Sequence, residues 1–64
     1  MRFGTIIAMP NAYSRYARVL DDDGLAFTLE PHNIPPDVRV DDDLAYKVEL
    51  WENDSGLIYD ATED

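Results

Sequence analysis

The sequence contains no cysteine, a single histidine, a single lysine and no long hydrophobic run, and each shortage removes a class of protein. Without cysteine there is no disulfide scaffold, no thiolate zinc site and no thiol nucleophile, so the core must hold a small domain together unaided. With His32 alone, no histidine pair exists to ligate a metal. Ser14 and Ser55 have no base near them in sequence, so a hydroxyl nucleophile is not foreseen. No segment approaches the roughly 18 apolar residues of a membrane span, and Met1-Arg2-Phe3-Gly4 lacks the apolar stretch of a signal peptide. The expectation is a cytoplasmic, non-enzymatic chain with no cofactor, no metal, no catalytic residues and no membrane partner.

What remains is 64 residues, 45% hydrophobic and 11% aromatic. That is too apolar for a disordered tail and short enough for one domain, expected to be monomeric. Charge is the strongest compositional signal: fourteen acids, ten of them Asp, against five bases give −9. The distribution is uneven. Residues 1–20 carry Arg2, Arg15 and Arg18 with no acid (+3), whereas residues 21–64 carry Arg39 and Lys47 against all fourteen acids (−12). An acidic body of this kind repels polyphosphate, while its first third can form a neutral or mildly positive face. Mimicry of nucleic acid, solubility of a small domain or a high-salt host would each account for the acidity, and the sequence does not choose among them.

The hydrophobic period is two and turn residues recur every few positions, which predicts an all-β fold. Expected strands are Arg2 to Met9, ended by Pro10; Tyr13 to Leu20, with Tyr16, Arg18 and Leu20 on one side and Arg15, Ala17 and Val19 on the other; and Leu25 to Leu29. Asp21-Asp22-Asp23-Gly24 closes a hairpin, because glycine accepts the positive φ of such turns. Glu30 to Asp43 contains three prolines and reads as a long crossover loop, pinned by Ile34, Val38 and Val40. Strand four is expected at Leu44 to Trp51 and strand five at Gly56 to Ala61, making one domain over residues 1–61 with 62–64 as a short acidic tail. Trp51, Tyr46, Val48, Leu50, Ile6, Val19, Leu57 and Tyr59 are the expected packing residues. Asp21, Asp23, Gly24 and Glu30 imitate the end of a calcium loop, but Val19 occupies its first position and both flanks alternate as strands. Asn53-Asp54-Ser55 matches a glycosylation sequon that, without a secretory signal, is a turn.

Five strands with a long connection between the third and fourth describe a small antiparallel OB-type barrel, which disposes of exposed sheet edges in few residues. Several segments also stand in the order of a known family. Gly4-Thr5-Ile6 is similar to an opening G-x-V strand, and Tyr16-Ala17-Arg18-Val19 sits where a first ribonucleoprotein motif has F-G-F-I. Asp22-Asp23-Gly24 matches the acidic turn that follows, Ala26-Phe27-Thr28 stands for V-F-V, and Gly56 to Ala61 is similar to the closing strand. The chain thereby resembles a degenerate cold-shock domain over nearly its whole length. That resemblance implies stacking of single-stranded nucleic acid on aromatics beside basic residues. Much of the equipment is replaced here: Ile7 and Ala8 stand for Lys and Trp, Arg18 for a phenylalanine, and Leu29 for a histidine.

Two functions are expected from these readings. The first is an acidic module that binds another protein through Asp37, Asp41, Asp42, Asp43, Tyr16 and Arg18. Its partner has a basic groove, and the module is a nucleic-acid mimic or an inhibitor of the phage-regulator type. The second is weak binding of single-stranded RNA or DNA by Tyr13, Arg15, Tyr16, Arg18, Phe27 and His32. Phe27 is the ambiguous member, since Leu25, Phe27 and Leu29 share one face of a strand, as core residues do.

Overall fold

The structure, a computed structural model, describes residues 1–50 and 56–64. Its strands are β1 (Arg2–Ala8), β2 (Ala17–Asp21), β3 (Ala26–Leu29), β4 (Asp43–Leu50) and β5 (Gly56–Glu63). They close into a barrel in the order β1-β2-β3-β5-β4, an all-β, five-stranded barrel of OB type with the expected long loop between β3 and β4. One feature of the expected architecture is corrected. The barrel is mixed, because β3 and β5 run parallel through Thr28↔Leu57 and Leu29↔Ile58, while the other pairings are antiparallel. The long loop returns the chain across the barrel, so the fifth strand meets the third in the same direction.

Burial follows the alternation of the strands. Arg18 and Leu20 on β2 face outward, whereas Ala17, Val19 and Asp21 face inward. Ile6, Val19, Phe27, Leu29, Leu44, Tyr46 and Ile58 have no exposed surface and form the core, with Ala17 and Val38 beside them. Phe27 and Tyr46 meet edge to face, centroids 6.4 Å apart, a geometry that suits the ring quadrupoles.

Several expected boundaries and core positions shift. The second strand begins at Ala17 rather than Tyr13, because the Asn11 side chain folds residues 11–14 into a turn, accepting hydrogen bonds from the Tyr13 and Ser14 backbone N–H groups at 2.7 and 3.1 Å. β5 continues to Glu63: Thr62 pairs with Ala45 and Glu63 with Leu44, so two of the three residues expected as a tail belong to the sheet. On β5 it is Ile58 that enters the core, Leu57 is half-buried, and Tyr59, expected inside, is exposed. A bulge lies between Ala45 and Lys47 in the β4–β5 pairing, and Asp60 there adopts a φ of 56°. Val40, expected to pin the long loop, is exposed, and Val38 and Ile34 do that work. Trp51 and the turn of residues 52–55 lie outside the described residues, as does the side chain of Leu50.

Candidate functional site

Three regions carry chemistry: the acidic turn before β4, a polar cluster inside the barrel, and the outer face of β1 and β2 with the loop that joins them.

At the acidic turn the expected partner-binding carboxylates are engaged by the fold. The Asp42 carboxylate accepts the Arg39 backbone N–H at 2.9 Å, and Asp43 accepts the Thr5 hydroxyl at 2.9 Å. The backbone of the same turn continues the β1 ladder, with Asp41 N–H donating to the Ile6 carbonyl at 2.8 Å and Ile6 N–H to the Asp42 carbonyl at 3.0 Å. Asp37 and Asp41 are exposed and adopt φ values of 66° and 77°, which an aspartate tolerates better than most residues. Asp41, Asp42 and Asp43 are therefore first a strand-entry device, and of the four expected acids Asp37 and Asp41 are the two whose carboxylates have no donor among the described residues.

The polar cluster was not anticipated. Asp21, read as a turn residue, is only 4% exposed and receives three donors. Arg2 donates to both of its oxygens at 2.9 and 3.1 Å, and the buried Tyr46 hydroxyl donates at 2.8 Å. The Asp23 backbone N–H adds a bond at 2.9 Å, and Arg2 also reaches the Asp23 carboxylate at 2.9 Å. The Arg2 guanidinium thus sits between the two acids that imitate a calcium loop, and it lies 5.4 Å from the Phe27 ring centroid. Burial alone would push the Asp21 carboxyl up, but the hydrogen bonds from Arg2, Asp23 and Tyr46 together hold it below its ordinary value. Burial, and then the hydrogen bond to Asp21, push the Tyr46 phenol far above its ordinary value of 10. The cluster ties β1, β2 and β4 together and so serves to close the barrel. Strand alternation predicts that Tyr46 points inward, but no local signal joins it to an acid 25 residues away.

The third region gathers most of the residues expected for the alternative site. Tyr16 and Arg15 line an open groove of about 580 Å³ with Glu30, Pro31 and His32. Arg15 lies 5.9 Å from the Tyr16 ring centroid, and His32 lies 3.3 Å from the Glu30 carboxylate. Arg18, on the adjoining outer face, donates to the Thr28 hydroxyl at 2.7 Å. Tyr13 stands clear of the barrel at 98% exposure. Phe27 does not belong here: with no exposed surface it cannot stack a base, because Leu29 and Phe27 alternate inward on β3. Sequence reasoning missed Phe3 and Ile7, which are exposed on β1, and gave Leu20 no role although it is exposed on β2. Register sets Phe3 and Leu20 together, since Thr5 pairs with Leu20 and leaves Phe3 diagonal to it, while Ile7 lies at the register shift between Ile6 and Ala8 on the same strand. The signal was present in the inward alternation of Gly4 and Ile6, which sends Phe3 and Ile7 outward.

The electrostatics of the molecule divide the same way. Of the three arginines in residues 1–20, Arg2 is bound by carboxylates. Lys47 pairs with Asp60 at 3.4 Å. Arg15 and Arg18 have no carboxylate partner among the described residues, so the positive character of the first third is concentrated on this face. Compared with known protein families, curated proteins and solved structures, the chain has no significant match to any.

Proposed function

We propose that this protein is a non-enzymatic acidic binding module that engages another protein through the outer face of β1 and β2. The observation that carries the reading is the set of exposed apolar residues Phe3, Ile7 and Leu20 on the adjoining strands β1 and β2, with Arg18 on the same outward side of β2 as Leu20 and with Arg15 and Tyr16 exposed just before that strand. Apolar side chains bordered by Tyr and Arg match the composition of protein interfaces, and two of the three here, Ile7 and Leu20, offer no π-face to a base. A net charge of −9 disfavours a polyphosphate and favours a partner with a basic surface around the contact, including the groove of a nucleic-acid-handling protein that such a module would inhibit. Exposed Asp37 and Asp41 would face that basic surface.

A second reading, weak cold-shock-type binding of single strands, draws on Arg15, Tyr16 and His32 sharing one groove. One experiment separates the two. The full chain is immobilised and challenged with a lysate of its source cells and, separately, with labelled single-stranded DNA and RNA at low and moderate salt. The protein-binding reading expects a retained protein that is lost in Leu20→Lys and weakened in the pair Asp37→Asn and Asp41→Asn, with no oligonucleotide bound. Oligonucleotide binding that falls steeply with salt and disappears in Tyr16→Ala would replace it with the strand-binding reading.

A further inference from the structure

The loop between β1 and β2 has two properties: it is internally wired, and it displays one of its two tyrosines, Tyr13, almost wholly to solvent. Residues 9–16 read Met-Pro-Asn-Ala-Tyr-Ser-Arg-Tyr, without an acid in a chain that holds fourteen. The Asn11 side chain binds two successive backbone N–H groups, those of Tyr13 and Ser14. The Asn11 N–H donates to the Ser14 carbonyl at 2.7 Å, and the Tyr16 N–H donates to the Ser14 hydroxyl at 3.3 Å. Met9 packs against the core at one end and Ala17 is buried at the other, so both ends are anchored. Tyr13 nonetheless projects at 98% exposure, and its hydroxyl has no partner among the described residues. Beside it, Arg15 lies over the Tyr16 ring with no carboxylate to bind.

From this arrangement we infer that the loop is a preorganised recognition knob, in which Tyr13 inserts into a ring-sized pocket of a protein partner while Arg15 meets acceptors at the pocket's rim. The inference rests on the protein-binding reading above and deepens it by naming the anchor. A projecting side chain requires a concave occupant, and a tyrosine with a free hydroxyl calls for an apolar pocket that ends in a hydrogen-bond acceptor. The rim carries main-chain carbonyls, acceptors that a guanidinium binds and that sit within the basic surface expected around the contact. Tyr, Ser, Asn and Arg are also the residues that dominate antibody contact loops, where a stiff aromatic gives contact area for little lost entropy. Asn11 is a positioning residue: it touches no partner but fixes the loop before binding, which lowers the ordering cost of association.

The test uses the full chain with a benzophenone amino acid installed in place of Tyr13 or, as a control, of the exposed Tyr59 on β5, irradiated in a lysate of the source cells. A discrete protein adduct from the Tyr13 position that is absent from the Tyr59 position is the expected result. Calorimetry with that captured protein should show Tyr13→Ala weakening binding by about 30-fold or more, with Tyr13→Phe losing much less. Asn11→Ala should weaken binding by a smaller factor while speeding amide exchange at Tyr13 and Ser14, a readout that loss of a direct contact would not move. Tyr13→Ala binding as tightly as the unaltered protein overturns the knob and leaves the binding-module reading standing. Adducts with nucleic acid alone, or no adduct and no retained protein, overturn both. Tyr13 is almost wholly exposed, so its variants should melt at the same temperature as the unaltered chain.

Discussion

Two arginines in this small barrel lie near aromatic rings, and they mark opposite uses of one chemistry. Arg2 lies 5.4 Å from the Phe27 ring centroid and is tied to Asp21 and Asp23. Arg15 lies 5.9 Å from the Tyr16 ring centroid and is tied to no acid among the described residues. The first pair is surrounded by partners drawn from β1, β2 and β4, so its hydrogen bonds are consumed in closing the barrel. The second sits on a loop whose backbone N–H groups are bound by the Asn11 and Ser14 side chains and by the Ser14 carbonyl, which leaves the Arg15 guanidinium uncommitted to any acid among the described residues. A charge whose partners lie within the chain contributes stability, and one without them remains available to something outside it. The comparison therefore assigns fold maintenance to the Arg2 end and recognition to the Arg15 end, and it can be broken at either.

The largest effect is expected at Gly4, which lies under the Arg2 end. A Cβ there would overlap the Tyr46 hydroxyl and come within 2.6 Å of the Leu20 carbonyl oxygen and 3.0 Å of the Asp21 Cα. The backbone of β2 cannot move away without losing its pairing with β1. Gly4→Ala should cost about 3 kcal/mol or more, a large share of the roughly 5 kcal/mol typical of so short a domain. Circular dichroism and urea titration should report a largely unfolded chain. A folded Gly4→Ala protein of ordinary stability would mean that Tyr46 does not pass over β1 and would remove the structural half of the comparison.

Asp21→Asn comes next. The amide keeps the shape but removes the charge that Arg2 neutralises, and its NH2 faces the Tyr46 hydroxyl or Arg2 as a second donor. The expected loss is about 2 kcal/mol at neutral pH. The pH dependence has a definite sign. Because the folded carboxyl is held below its ordinary 3.8, the unfolded chain takes up the proton first as the solution is acidified. The Asp21 contribution is then present above 3.8 and is lost as pH falls through that value toward the folded one. Urea midpoints measured from pH 7 to pH 2.5 should show the gap between the unaltered protein and Asp21→Asn closing below about pH 4. A gap that stays constant through that range would show that the Asp21 charge carries no stability.

How far these two ends could be read from the sequence differs for physical reasons. The period-two alternation of β2 and β3 revealed the strands and the outward placement of Arg18 and Leu20, because alternation is a local property, whereas Arg15 and Tyr16, expected on opposite sides, precede the strand and are both exposed. The hairpin at Asp21 to Gly24 was legible from its dipeptide, and Gly24 adopts a φ of 88°. The Arg2 cluster was not legible, since residues 2, 21 and 46 meet only when the barrel closes. The parallel β3–β5 pairing was hidden for the same reason. Tyr59 was misplaced because Leu57, Ile58 and Tyr59 are all large and apolar, so composition does not choose the parity. Closure of β5 against both β3 and β4 turned Ile58 inward. At the candidate site the acids were legible as charge, but not as the side chains that hold the entry to β4.

The smallest stability effect, and the one that sharpens the comparison most, is expected at Arg15. Arg15→Ala removes a surface guanidinium whose ring contact is solvent-exposed, and substitutions away from packing and hydrogen-bond networks shift stability by no more than about 0.5 kcal/mol. Its urea midpoint should match that of the unaltered protein, while its affinity for a captured partner falls. Were Arg15→Ala to destabilise the fold as Asp21→Asn does, the loop would be a second brace of the barrel, and its exposed tyrosines would lose their claim to recognition. If both stability and affinity stayed unchanged, recognition would move to Phe3, Ile7 and Leu20, whose apolar contacts need no cation beside them. Either departure would redraw the surface on which this acidic domain meets its partner, because Arg15 is where the groove holding His32 and Pro31 adjoins the loop that carries Tyr13.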